Sequence, residues 1–345
     1  MVHPPKTERL ASIEFLRFFF MIWICMIHIW TPFKIHHGGI GVDFFFMTAG
    51  LFLIKGFENA KQSVYQYARR RFFRLFPAYI VGVFLGFILL VVDGIKDGAT
   101  PSIVELLASF LTESLMIQDI GWFTHLTLGN PVSWFVSVLI IASILLYAAL
   151  CWNINLTIKV LLPVFCIGYY TIFAHLGDPG TAFFDTAVGP LFLPLGRGIA
   201  GLSLGILIGR ISPELMQGPR MEKTALHLLA LLFLCLVTYY ILFVEENHDT
   251  LAIVFFVFIV ASCSIPDSWL NRLFNHRIWF FLGGITYEML MMQIPCRYLI
   301  NFGYSRFPVY RSLWIVAYLL LTILTAYLLK IGLKRFLSTK QRWQP

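Results

Sequence analysis

Apolar runs close to the ~20 residues that cross the hydrocarbon of a bilayer recur along this chain from Ala11 to Leu333, and no long hydrophilic stretch divides them into modules. Ten spans are expected, at 11–31, 40–57, 77–93, 132–152, 156–175, 190–209, 224–244, 250–266, 278–299 and 312–334. With 59% hydrophobic and 13% charged residues, the chain is far from the soluble mix of about half apolar and a quarter charged. The expected fold is therefore all-α, a polytopic transmembrane helix bundle of about ten spans forming one integral membrane domain over residues 1–345.

Pro77, Pro131 and Pro190 stand near span entrances, where a missing amide donor is tolerated. The segment from Ile103 to Asp119 is different, because Glu105, Thr112, Glu113 and Gln118 interrupt its apolar residues. It reads as an amphipathic helix at the interface, or a re-entrant one, rather than an eleventh span. Charge supports that reading. With both the N- and C-termini cytoplasmic, the inner segments hold Lys6 and Arg9, then Lys55, Lys61, Arg69, Arg70, Arg71 and Arg74, then Arg210, Arg220 and Lys223, then Arg272 and Arg277, and finally Lys334, Arg335, Lys340 and Arg342. The outer connections carry Asp93, Asp97 and Asp119, then Asp178 and Asp185, then Glu245, Glu246 and Asp249, and only Arg306 and Arg311 run against the trend. An extra span would put the later basic loops outside. The net charge of +8 is thus inner-leaflet anchoring and calls for no nucleic acid.

The six cysteines lie in or beside apolar segments without metal-ligand spacing, so neither a disulfide framework nor a metal site is expected. The first apolar run holds Glu14, Arg17 and His28 and no small-residue cleavage site, so it reads as a retained helix and not a removed signal. Arg17 and His28 are eleven residues apart, which on a helix is about 16 Å and nearly the same face. Ionisable groups facing hydrocarbon are costly, so a shared buried or water-filled path is the economical explanation, and the chemistry is expected there.

Asp43 opens the second span after a loop containing His36, His37, Gly38 and Gly39. As a partner of His28 it would fix the imidazole tautomer of a general base; as a helix cap it would do no chemistry. Glu14 and Arg17 are spaced for an ion pair. The run Ala68–Pro77 places Arg69, Arg70, Arg71 and Arg74 at the membrane face, where they serve either as anchors or as phosphate ligands.

The segments Glu14-Phe15-Leu16-Arg17 followed by His28, Gly41-Val42-Asp43-Phe44-Phe45-Phe46 with Ala49-Gly50, and Arg71-Phe72-Phe73-Arg74-Leu75-Phe76-Pro77 occur in this order. Together they resemble the membrane acyltransferase family 3. Ser133-Trp134-Phe135, Arg197 with Gly201 and Gly205, and Gly284-Ile285-Thr286-Tyr287 resemble its later elements, so the likeness covers almost the whole chain. One departure is that the family often ends the late element with a histidine, whereas Gln293 stands in that region here.

The resemblance implies a ten-helix enzyme of the bacterial cytoplasmic membrane. It would move an acyl group, commonly acetyl, from cytoplasmic acetyl-CoA or another acyl-CoA to a hydroxyl of an extracytoplasmic or lipid-linked glycan, with no metal. Arg71, Arg74 and Arg17 would hold the donor's phosphates, because burying several unpaired charges is prohibitive. His28 would be base or transient acyl carrier, with Asp43 as orienter. Trp134 stacks on a sugar or anchors the interface; Arg197 makes an internal pair or touches the donor; Tyr287 with Glu288 binds substrate or joins helices. Two other classes stay open: a transporter of a glycan or acylated metabolite, and a scaffold without chemistry.

Overall fold

The computed structural model describes residues 9–29, 35–97, 102–118, 128–176, 187–188, 191–266, 268–306 and 311–342. Lys6, Asp119, Asp178, Asp185 and Pro190, used above, lie outside them, as does the end of the first expected span. The elements are α1 (Ala11–His28), α2 (Gly41–Asn59), α3 (Val64–Asp97), α4 (Ile103–Ser114), α5 (Trp134–Trp152) and α6 (Ile154–Leu156), the last running through a π turn into α7 (Leu162–His175). A two-residue antiparallel pair, β1 (Ala187–Val188) with β2 (Leu191–Phe192), precedes α8 (Leu193–Gln217). Then come α9 (Arg220–Phe243), α10 (Asp249–Cys263), α11 (Trp269–Leu273), α12 (Arg277–Gly284), α13 (Thr286–Arg306) and α14 (Arg311–Arg342).

The protein is an all-α polytopic bundle. Among the described residues eight helical stretches are long and apolar enough to cross a membrane. The remaining two expected spans differ in form. One is the 15-residue α10. The other is broken at Ile285 into α12 and α13, where the Thr286 hydroxyl turns back to the Gly283 carbonyl. The third span also departs from expectation: α3 begins at Val64, so Pro77 lies inside the helix and the four arginines ride on its first turns.

Helix directions settle the ambiguous segment. Asp43 faces Arg197 at the starts of α2 and α8, and Ile54 lies against Gly209 further along, so these helices run parallel. Parallel partners need an odd number of crossings between them, and α3, α5 and the continuous α6–α7 supply three. A crossing at α4 would reverse α8. Instead α4 buries Ser109, Thr112 and Glu113 and exposes Ile103, Val104, Leu107 and Leu111. Its polar face meets the protein and its apolar face points outward.

Among the described residues α9 and α14 repeat that inversion. Leu228, Leu232 and Leu236 on α9 and Leu320, Leu324 and Leu328 on α14 are exposed, while Asp43, Glu113 and Gln293 are fully buried. Apolar residues spaced by four facing outward and polar residues facing inward suit hydrocarbon as solvent. At the centre, α2 and α8 approach backbone to backbone: a Cβ on Gly205 would overlap the Met47 carbonyl. The segment leading into α1 and the middle of α14 meet at the α12–α13 break, where the Arg9 and Lys330 side chains both approach Gly284.

Candidate active site

Arg17 and His28 lie on one seam. α1 packs along α13, which runs parallel to it because Glu14 sits against Gly283 just before α13 begins. Further along, Arg17 interacts electrostatically with Glu288, and His28 with Gln293 and Arg297. Eleven residues on α1 and nine from Glu288 to Arg297 on α13 span similar lengths at about 1.5 Å per residue. The single-face expectation for α1 thus acquires a partner helix.

At the His28 end the imidazole is set by the backbone. Its Nδ1 lies 2.7 Å from the Ile24 carbonyl, one turn back on the same helix. A carbonyl only accepts, so Nδ1 carries the proton and Nε2 presents a lone pair. That is the tautomer a general base needs.

Asp43 does not supply it. Both carboxylate oxygens of Asp43 are taken by Arg197, with Nε donating to Oδ1 at 3.0 Å and Nη2 donating to Oδ2. The expected role of Asp43 as orienter of His28 is therefore corrected. The close packing of α2 on α8 aims Asp43 at the neighbouring guanidinium, and a fully buried carboxylate needs a charged partner. Of the two readings of Arg197, the internal pair is the one observed.

At the Arg17 end charge accumulates. Glu14 accepts from Arg9 Nε at 2.9 Å and from Arg17 at 3.5 Å. Gly283 has no room for a side chain because a Cβ would strike the Glu14 carbonyl and carboxylate. Arg74 experiences Arg71, Arg70 and Arg17 as neighbouring like charges. Lys330 of α14 reaches the Gly284 carbonyl and lies 3.9 Å from Glu288. Among the described residues Arg9, Arg17, Arg70, Arg71, Arg74 and Lys330 thus outnumber the two carboxylates Glu14 and Glu288 at this end. Such an excess favours a polyanion.

A family model described as an acyltransferase domain matches residues 10–331. The chain belongs to this acyltransferase family. No curated protein and no solved structure matches it.

The structure also places two other residues singled out in this acyltransferase. Trp134 is buried at the head of α5, its ring centroid 6.4 Å from that of Phe46. Tyr287 donates its hydroxyl to the Leu75 carbonyl at 2.9 Å, joining α13 to α3 beside Arg74. It acts as a tie between helices.

Sequence reasoning also missed a group. Glu113 of α4 is fully buried and accepts from Gly129 N at 2.7 Å, Asn130 N at 3.3 Å and Ser133 Oγ at 2.7 Å. Gln118 donates to Ser133 Oγ and to Tyr79 Oη, and Tyr79 in turn donates to the Glu113 carbonyl. This knot fixes the entry into α5 in the acyltransferase. The signal in the sequence was a carboxylate on a largely apolar helix with Ser109 three positions before Thr112 and four before Glu113, so that the three lie on the same side.

Proposed function

We propose that this membrane acyltransferase moves an acyl group, acetyl being the simplest, from acyl-CoA to a hydroxyl of an extracytoplasmic or lipid-linked glycan. The observation that carries the reading is the seam itself: an imidazole whose Nδ1 is tied to the backbone at one end and surplus cations at the other, about 16 Å apart on α1. The donor's nucleotide and phosphates stay with Arg17, Arg71 and Arg74, where charge can remain hydrated. Its long, mostly uncharged arm follows the seam toward His28. The Arg17 end then faces the cytoplasm together with both chain ends, in keeping with the basic loops at that end and the acidic ones opposite. The setting is the bacterial cytoplasmic membrane.

In the transfer, His28 Nε2 removes the proton of the acceptor hydroxyl as its oxygen attacks the thioester carbonyl carbon. The carbon–sulfur bond breaks, and the thiolate leaves with the proton returned from the imidazolium. Thioester and alcohol become ester and thiol.

The test is purified protein in lipid nanodiscs, supplied with labelled acetyl-CoA and a membrane glycan fraction. His28→Ala should abolish label transfer while binding of a thioether analogue of acetyl-CoA persists. Transfer retained in His28→Ala, or glycan movement across the bilayer without thiol release, would sink the proposal.

A further inference from the structure

The acyltransferase reading leaves one part of the seam without an assignment. Arg297 lies on α13 four residues beyond Gln293, hence on the same helix face, and both act on the His28 ring. The Arg297 guanidinium carbon stands 5.3 Å from the centre of the Tyr298 ring, and Tyr318 of α14 is a further electrostatic neighbour. Among the described residues no carboxylate pairs with Arg297, and its Nε is buried with no hydrogen-bond acceptor. Gln293 is fully buried, its Nε2 bonded weakly to the Leu290 carbonyl at 3.3 Å and its Oε1 bonded to nothing. The buried carboxylates nearby are partnered, Asp43 by Arg197, Glu113 by three donors and Glu14 by two arginines; Arg71, at the other end of the seam, shares with Arg297 a buried Nε that meets no acceptor.

A guanidinium inside a bundle with an orphaned N–H marks a place where negative charge is received. Arg297 and His28 are electrostatic neighbours across the α1–α13 seam. Resting on the reading above, we propose that Arg297 is a catalytic residue of the transfer, its Nε–H holding the thioester carbonyl oxygen as it becomes an oxyanion. When the acceptor oxygen attacks the carbonyl carbon and its proton passes to His28, the carbonyl π electrons move onto that oxygen beside Arg297. As the carbonyl re-forms, the carbon–sulfur bond breaks and the thiolate takes the proton from His28. Gln293 Oε1, one turn away, accepts a hydrogen bond from the incoming acceptor and sets its approach.

The experiment measures thiol release and label transfer from acetyl-CoA, with the membrane glycan fraction as acceptor, for the unaltered protein and for Arg297→Ala, Arg297→Gln and Arg297→Lys. Binding of the thioether analogue and thermal unfolding are followed in parallel. Arg297→Ala should lose about 10²- to 10³-fold in kcat while analogue affinity stays within about twofold, as expected for removal of an oxyanion donor. Arg297→Lys should lose less, and guanidinium ion added to Arg297→Ala should restore part of the rate. The inference is overturned if Arg297→Ala keeps kcat within about threefold, or if activity, analogue binding and unfolding temperature all fall together without guanidinium rescue. Should Arg297→Ala not fold, Arg297→Gln and Arg297→Lys carry the same comparison, and equal rates in the two overturn it. Absence of thiol release and transfer in the unaltered protein would instead defeat the acyltransfer reading on which the inference rests.

Discussion

Arg197 and Asp43, on parallel helices and 154 positions apart, are joined by two hydrogen bonds in a fully buried setting, Nε to Oδ1 at 3.0 Å and Nη2 to Oδ2 at 2.5 Å. Removing one partner strands the other. Arg197→Met is expected to destabilise the protein by about 3–5 kcal/mol, whereas the double variant with Asp43→Leu recovers most of that loss. A double-mutant cycle on thermal unfolding in detergent measures it; additive losses would show that the two side chains do not act as a pair.

The same interface depends on Gly205. A side chain there meets the Met47 carbonyl, while nothing lies within 4 Å of a Cβ placed on Gly56. Gly205→Val should therefore separate α2 from α8 and abolish folded protein, and Gly56→Ala should be neutral or slightly stabilising, within about 1 kcal/mol. Size-exclusion profiles of the two variants check this directly.

Glu113→Ala leaves two backbone amides and the Ser133 hydroxyl without their acceptor. At about 1–3 kcal/mol per stranded donor, with partial relaxation, the expected loss is about 3 kcal/mol or more. Glu113→Gln keeps one carboxamide oxygen and should lose less. Hydrogen exchange at Gly129 and Asn130 should rise in both, and unchanged protection there would contradict the knot.

For donor binding, Arg74→Ala should weaken the thioether analogue of acetyl-CoA about tenfold, and added salt should narrow the difference from the unaltered protein. A salt-independent defect would mean that Arg74 acts through packing and not through charge.

His37 makes stability depend on pH. It precedes α2, stacks on Tyr240 with centroids 4.2 Å apart, and has its Nδ1 3.6 Å from Asp249, which also accepts from the Tyr240 hydroxyl. Burial, reinforced by the neighbouring His36, holds its pKa below the ordinary 6.5. The unfolded chain therefore takes up a proton first as pH falls, so the contribution is full above pH 6.5 and declines below it. Thermal midpoints measured from pH 7.5 to 5 should fall, and more shallowly for His37→Phe. Equal slopes in the two proteins would remove His37 as the cause.

From the chain alone came the elements and their placement: apolar runs long enough to cross, an ionisable pair on one face of α1, arginines gathered at one face, and a polar stripe that kept α4 from counting as a span. These are local properties, because hydrocarbon forces each crossing segment to satisfy its own backbone and helical periodicity then places every side chain. Tertiary packing decided which side chains meet. The close approach of α2 and α8 gave Asp43 to Arg197 and left the Ile24 carbonyl to orient His28. The parallel pairing of α1 with α13 brought Gln293 and Arg297 to the imidazole from more than 260 positions away in the chain. Such partnerships depend on helix direction and rotation within the bundle, which no single segment encodes.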